Sequence, residues 1–526
     1  MLSPRQGMIK PYELRPGPHL FTDWRYVHPG MVRWDTAEGL PTGLFSPGGD
    51  PGQVNPNLLD TPFNIRIAAR KADKIGPYIK TEKPWERIIF WHSLIHDGGK
   101  YRFWYSTVPS DYWTDSAPGL GTNLNADWGH LLCYAESDDL QTWTRPLLTI
   151  QDYHGEPSNI IFGGPRTRDT GYHGGGVFID PSAPPEERYK TLYMGKLSLE
   201  RLHECEKKLG LTADPMAIHY KSAMFAAVSP DGILWNPLPD PVMLANSDTS
   251  NRIAYDPVSR KYVAYVRMWM YGRRAIGRSE TDDFSRWPLP EPIMWIGGRD
   301  DAAADIYTNA ATLYPGALDE HLMFPTYYLR DTDTTEIHMA TSFEGKVWST
   351  VPGGPTISTG SVGDWDGGCV FAAGDLVQID DQRVGIPLVG YSVPHKYPRF
   401  MPLGQIGFAT WPKERLAAVE TDDRGGFTTP QFVIKGNQLR LNVETQRAGE
   451  VLVEVAEAEG LPKPVPQAEG PAFQGFSFAD CDPIYGNLHS HIVTWQGKSD
   501  LGSLAGKPIS LRFRMRAAKI FAFEFE

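Results

Sequence analysis

Apolar and aromatic residues come in short runs, and polar turn residues separate the runs at close intervals. His96-Asp97-Gly98-Gly99-Lys100 leads into Tyr101-Arg102-Phe103-Trp104-Tyr105, and Asp180-Pro181-Ser182 leads through Arg188 into Tyr189-Lys190-Thr191-Leu192-Tyr193. Tyr255-Asp256-Pro257 leads into Tyr262-Val263-Ala264-Tyr265, and Tyr314-Pro315-Gly316-Ala317 into His321-Leu322-Met323-Phe324. A weaker case joins Ile379-Asp380-Asp381-Gln382 to Val384-Gly385-Ile386-Pro387-Leu388. Asp-Gly and Asp-Pro pairs punctuate turns, and β-branched or aromatic runs of this length form strands. No window carries the period of a long amphipathic helix or an apolar run long enough to span a membrane.

Downstream of these hairpins one phrase recurs: a Ser or Thr, an acid two places on, and a Trp six places on. The copies are Ser137-x-Asp139-x-x-x-Trp143, Ser229-x-Asp231-x-x-x-Trp235, Thr281-x-Asp283-x-x-x-Trp287 and Ser342-x-Glu344-x-x-x-Trp348. Spaced recurrence signals an array of similar units. The hydroxyl and the acid suit a tight turn that ends a third strand, and the Trp opens a fourth. The acids and Trp residues of the phrase, with Glu136 and Glu280 beside it, therefore read as scaffold. Four-stranded units repeated radially make a β-propeller. Five units fit, at roughly 80–150, 165–241, 245–293, 303–355 and 362–415 on the turn spacing, with Leu20 to Trp34 adding a strand that helps close the ring.

From about Phe427 the turn phrases stop. Alternating runs follow at Gln438-Leu439-Arg440-Leu441-Asn442-Val443, Glu450-Val451-Leu452-Val453-Glu454-Val455, Ile509-Ser510-Leu511-Arg512-Phe513-Arg514-Met515 and Ile520-Phe521-Ala522-Phe523. Period-two alternation predicts a small antiparallel sandwich. The expected plan is all-β: a five-bladed propeller over 1–420 and a C-terminal sandwich over 427–526.

Composition narrows the function. The chain has 526 residues and a net charge of −12, with no basic cluster, which argues against nucleic acid and anionic membrane as partners. Cys133, Cys205, Cys369 and Cys481 are far apart, with no CxxC pair, so neither a zinc site nor a disulfide framework is expected. The start lacks an apolar signal region, so the chain as written reads as cytoplasmic; a trimmed secreted or periplasmic protein would read the same. A homo-oligomer is compatible with these features.

In a propeller the innermost strand of each blade lines the axial channel, so polar residues just before those strands converge. The first unit offers Trp85-Glu86, the second Tyr172-His173, the third Asp248 and Asn251, the fourth Asp305-Ile306-Tyr307-Thr308-Asn309, and the fifth Asp364-Trp365-Asp366. Acids are depleted in strands and seldom buried unpaired, so a carboxylate from four of five units is a coincidence that scaffold needs do not explain. Carboxylates among Trp and Tyr fit cleavage of glycosidic bonds, in which one acid protonates the leaving oxygen and another activates water or attacks the anomeric carbon. The expected catalytic set is Glu86, Asp248, Asp305 and Asp366, with Glu86 as general acid. His173, Asn251, Tyr307, Asn309, Trp365 and Trp85 are expected to position the sugar. No cofactor is required. The acid ring would admit an axial Ca2+, although no loop has a metal-binding spacing.

These residues resemble the five-bladed propeller glycoside hydrolases, the family 32/43-like group, and within it a poorly characterised bacterial branch. The resemblance is carried by Asp-Asp-Leu-Gln-Thr-Trp at 138–143 and Asp-Gly-Ile-Leu-Trp at 231–235, and by Leu20-Phe21-Thr22-Asp23-Trp24 and Pro84-Trp85-Glu86. Tyr101 to Tyr105, Tyr262 to Arg267, Gly277 to Glu280, Asp305 to Ala310 and Gly475 to Cys481 also carry it. It implies a propeller fold, an exo-acting hydrolase and a role in polysaccharide degradation. The Trp-Met-Asn-Asp-Pro, Arg-Asp-Pro and Glu-Cys motifs of family 32 are absent, and Ile179-Asp180-Pro181 falls at a hairpin. Family 43 places Asp, Asp and Glu on its first three blades, where this chain has Glu86, His173 and Asp248, so no family residue transfers. Two rivals use the same pocket: a glycan-binding propeller without catalysis, and a phosphorylase or transglycosylase. For phosphate, Arg252 and the pair Arg273-Arg274 are the nearest candidates.

Overall fold

The structure, a computed structural model, describes residues 11–30, 62–109, 129–164, 171–397, 401–458 and 471–526, and the backbone of two paired strands, Trp34–Asp35 and Pro41–Thr42. Five antiparallel sheets follow one another along the chain. The first holds Ile88–Asp97, Lys100–Val108, Leu131–Ser137 and Ile160–Gly163. Its opening hairpin turns on Gly98 and Gly99, with φ of 62° and 77°, between the paired residues Asp97 and Lys100. Two successive left-handed residues give the turn whose twist matches the strands.

The second sheet holds His173–Ile179, Tyr189–Lys196, Ser222–Ser229 and Asn236–Pro237; the third holds Arg252–Asp256, Lys261–Met270, Arg273–Thr281 and Glu291–Met294. The fourth is broken into two ladders. Ala304–Thr308 pairs with Thr326–Leu329, which pairs with Thr334–Ile337, and Ala311–Tyr314 pairs with Ala317–Met323, which pairs with Ala340–Ser342. The fifth holds Cys369–Ala372, Arg383–Tyr391 and Gln405–Pro412, and its outer strand is Asp73–Ile79.

Neighbouring sheets pack in a cycle. Ile88–Asp97 lies against His173–Ile179, which lies against Arg252–Asp256; Arg273–Thr281 meets Ala304–Thr308; Thr334–Ile337 meets Cys369–Ala372; and Arg383–Tyr391 returns to Ile88–Asp97. The strand that completes the fifth sheet is therefore Asp73–Ile79, not the stretch from Leu20 to Trp34. His19–Leu20 pairs instead with Phe523 and Ala522. The reason is apolar: Phe21 and Tyr26 pack edge-on against Phe427, Phe432 and Phe523, so this segment is buried in the C-terminal core.

The recurrent phrase is turn chemistry. Ser137 Oγ accepts the amides of Asp139 and Leu140, and the Asp139 carboxylate accepts those of Gln141 and Thr142 at 2.8 and 2.7 Å. Those amides hold the Asp139 pKa down, to about 2. Ser229 and Asp231 repeat the pattern. Each of Trp143, Trp287 and Trp348 donates its indole N–H to the carbonyl three residues back.

Two helices interrupt the second sheet where the sequence suggested only strands and turns. Helix α1 (Leu199–Leu209) is capped by Ser198 Oγ, ends at left-handed Gly210 and buries Leu202 and Cys205; α2 (Pro215–Tyr220) follows. Among the described residues no helix is long and apolar enough to cross a membrane.

The C-terminal strands belong to one eight-stranded sheet. Leu439–Glu457 pairs with Pro508–Phe525 along nearly its whole length, with breaks at Asn442/Val443 and Thr445/Glu450. Ala417–Thr428 pairs with the other side of Pro508–Phe525 and with Arg66–Ala69. One apolar core runs from Leu322, Phe324, Val370 and Trp411 of the ring into Phe427, Phe513 and Ile520 of this sheet.

Candidate active site

Asp248 lies in the loop that precedes the first strand of the third sheet, and that loop is pinned from several sides. Asn251 Nδ2 donates to the carbonyls of Gly174, Ser247 and Thr249, and Thr249 Oγ1 donates to the Tyr307 carbonyl at 2.9 Å. Gly174 has φ of 64°, and a Cβ there would sit 1.8 Å from the Thr249 carbonyl oxygen, so the second sheet reaches this loop only through glycine. Asn251, expected to bind sugar, is buried and spends its amide on this pinning.

The Asp248 side chain is 49% exposed, and Arg267 Nη1 is paired with it. Arg267 is itself 1% exposed; its Nη2 donates to the Tyr307 carbonyl at 2.8 Å, and its guanidinium lies over the Tyr307 ring at 4.4 Å. Burial pushes the Asp248 pKa up, but Arg267, His173 and Arg274 outweigh it and leave the pKa below the usual carboxylate value. Asp248 is therefore ionised at neutral pH, the state of a base or nucleophile rather than of an acid.

His173 opens the first strand of the second sheet. Its Nδ1 lies 3.0 Å from Nδ1 of His130, and the rings meet edge-on. Burial lowers both pKa values, and each also feels the charge of Lys196. Lys196 ends the next strand, is exposed, and is close enough to Asp248 for the two charges to interact.

Below Asp248 is an aromatic floor. The Tyr307 hydroxyl is 2.9 Å from His395 Nε2, and its ring contacts Trp91, Tyr328 and Phe371. Arg274 stacks on Trp269 at 4.9 Å and on Tyr307 at 5.0 Å. Arg274 and Arg330 both donate to Asp305 Oδ2 at 2.6 Å.

The structure thus brings Asp248, His173 and Tyr307 together and removes other expected members. Asp305 is close by but 0% exposed, closed between two arginines. Glu86 is also 0% exposed: it accepts from Tyr105 Oη at 2.6 Å, from the amides of Glu82 and Lys83, and from Arg145. Its carboxylate knots the entry to the first sheet, so it is not placed to act as general acid. Trp85 donates to Asn159 and packs on Tyr153. Asp366, 2% exposed, pairs with Lys74 of the closing strand. Trp365 fills the space over Gly390 and Gly407. Asn309 bonds the carbonyls of Ser250 and Tyr265. Of the phosphate candidates, Arg252 pairs with Asp375 and Arg273 braces the carbonyls of Ala302 and Ala304, which leaves Arg274.

Sequence reasoning missed Arg267, Arg330, His130, His395, Lys196 and Trp91. Arg267 had a signal: it is the one charge inside the apolar run Tyr262 to Met270. Among the described residues no group of three His, Cys, Asp or Glu side chains converges to hold a metal ion.

Neither a family model nor a curated protein matches the sequence. Solved structures resemble it at low identity. An N-acetylgalactosamine deacetylase from F. plautii is 14% identical, with 66% of this chain and 96% of that one covered and a TM-score of 0.44. An alpha-L-arabinofuranosidase from Podospora anserina is 13% identical, covering 65% and 97%, with a TM-score of 0.41. A beta-1,2-mannobiose phosphorylase from Listeria innocua is 10% identical, covering 67% and 98%, with a TM-score of 0.42.

Proposed function

We propose that the chain is a carbohydrate-active enzyme that cleaves a glycosidic bond in an axial pocket, with Asp248 as its reactive carboxylate. In this reading the five sheets are the blades of a β-propeller, and the eight-stranded C-terminal sheet folds over as a sandwich. The domain division is 1–420 and 427–526, with Ala417–Thr428 bridging the two and the strands at Tyr12, His19 and Arg66 crossing into the second. The observation that carries the proposal is the contrast in exposure: Asp248 is 49% exposed, whereas Glu86, Asp305 and Asp366 are 0–2% exposed.

An ionised Asp248 takes a proton from the attacking group or attacks the anomeric carbon itself. Trp269 and Tyr307 present ring faces of the kind on which sugars stack, although arginine now occupies part of them. A pocket enclosed by five converging blades admits a chain end more readily than a chain middle, which favours exo action. The paired-carboxylate scheme is weakened, because three of its four expected members are closed. The test is turnover of a panel of aryl glycosides by the wild type and Asp248→Asn. Loss of turnover with an unchanged melting temperature is expected; full activity of the variant overturns the assignment.

A further inference from the structure

We infer that the axial pocket holds an oxyanion beside Asp248, either an acid group on the sugar or free inorganic phosphate. The inference rests on the proposal that this pocket is the substrate site, and it adds the class of ligand.

The first ground is charge. Lys196, Arg267, Arg274 and Arg330 gather around Asp248 and Asp305. A third carboxylate nearby, Asp333, is occupied by the Tyr328 hydroxyl and the Lys396 amide. The chain as a whole carries a net charge of −12, so a local excess of cations runs against its composition. Asp305 takes two arginines on one oxygen, and Arg330 is still 46% exposed. One carboxylate cannot neutralise both guanidiniums.

The second ground is hydrogen-bond capacity. The Nε atoms of Arg267 and Arg274 and the indole nitrogens of Trp269 and Trp91 are buried without a partner. All four are donors. Buried donors are normally paired, so each of these four is short of an acceptor. A neutral sugar is usually held by carboxylate and amide side chains that accept from its hydroxyls. Here Asp248 is the one exposed carboxylate among the three named, and the cations beside it are Lys196 and three arginines. Planar guanidiniums suit carboxylate and phosphate oxygens. Arg330, 46% exposed, and exposed Lys196 are open to an incoming oxyanion, while buried Arg267, stacked on Tyr307, holds Asp248 in place.

The two sources of the anion imply two balanced reactions. With hydrogen phosphate, a phosphate oxygen bonds to the anomeric carbon as the glycosidic C–O bond breaks. The bonding pair leaves with the departing oxygen, and the phosphate proton passes to that oxygen through Asp248. With an acidic sugar, water supplies the hydroxyl to the anomeric carbon and its proton to the departing oxygen.

The experiment is calorimetric titration of the full chain with inorganic phosphate, glucuronate and glucose, repeated for Arg330→Gln, Arg267→Gln and Asp248→Asn. At least one anion should bind more tightly than glucose. Arg330→Gln should weaken it about tenfold, as expected for loss of a charge-assisted hydrogen bond, and Asp248→Asn should tighten it by removing a repelling charge. Arg330 is half-exposed, so its variant tests the idea even if Arg267→Gln does not fold. Absence of anion binding, or an affinity unchanged in both Arg330→Gln and Asp248→Asn, overturns the inference. Phosphate-dependent release of a sugar phosphate identifies phosphate as the ligand, and cleavage of a uronide without phosphate identifies the glycan acid. Anion binding with no turnover on either arm upholds the subsite and overturns the cleavage reaction instead.

Discussion

Asp248 and Asp305 both face the Tyr307 region, Asp248 from the loop before Arg252–Asp256 and Asp305 from within Ala304–Thr308. Their fates differ. Asp248 meets one arginine and remains half open to solvent, whereas Asp305 meets two and is sealed. Glu86 and Asp366 share the second fate, with Arg145 and Lys74 as their partners. A position at the rim of a ring therefore does not make a carboxylate reactive. The count and reach of the cations opposite it decide whether the group is exposed or structural.

The comparison can be broken most sharply at Asp248. Asp248→Asn should cost about a hundred- to ten-thousand-fold in turnover while leaving the denaturation midpoint in place; a large loss of stability would place Asp248 with the closed group. Asp305→Asn should show the reverse emphasis. It leaves Arg274 and Arg330 uncompensated and should destabilise the fold by about 3 kcal/mol in urea denaturation; a stable but inactive variant would move Asp305 into the chemistry. Asp366→Asn should cost about 2 kcal/mol, with turnover per folded molecule unchanged, because Asp366 is buried and its partner Lys74 belongs to the closing strand.

A pH-dependent effect concerns a further closed carboxylate, Glu320, which accepts from Tyr26 Oη at 2.8 Å and from the Leu20 amide. Burial pushes its pKa up to about 7, against an ordinary value of 4.5. Between those values the folded state holds a proton that the unfolded state has lost, so stability from this group falls as pH rises from 4.5 to 7. Buried His19, His92 and His321, with pKa values lowered to about 4, act in the opposite direction between pH 4 and 6.5. The check is therefore the difference between wild type and Glu320→Gln across that range. The wild type should lose stability relative to the variant as pH rises, and a flat difference would show that Glu320 is not protonated in the fold.

Much of the scaffold was legible because it is written in local chemistry. The recurrent phrase reads as a turn since Ser137 and Asp139 bond amides only two or three residues away. Helix α1 also carries local marks, Ser198 before it and Gly210 after it. The closing strand was hidden for a different reason. Asp73–Ile79 contains Gly76 and Pro77, which count against a central strand; an outermost strand tolerates them because one of its edges needs no partner. The site was only half legible. Sequence shows that a carboxylate is present, but Arg145, Arg267 and Lys74 reach their partners from 59, 19 and 292 residues away, and no spacing rule encodes that.

The closing ladder also sets an order of events for folding. Thr410 bonds the carbonyl of Asp73 across 337 residues, and the short strands at Tyr12, His19 and Arg66 all await partners between Ala417 and Phe525. On a ribosome the earliest segments emerge with nothing to pair with and must wait, exposed, for the last. Such long-range pairing is slow and prone to misassembly. Among the described residues the strands at Tyr12, His19 and Arg66 are completed only by segments beyond Ala417, and the ring itself is sealed when Gln405–Pro412 meets Asp73–Ile79.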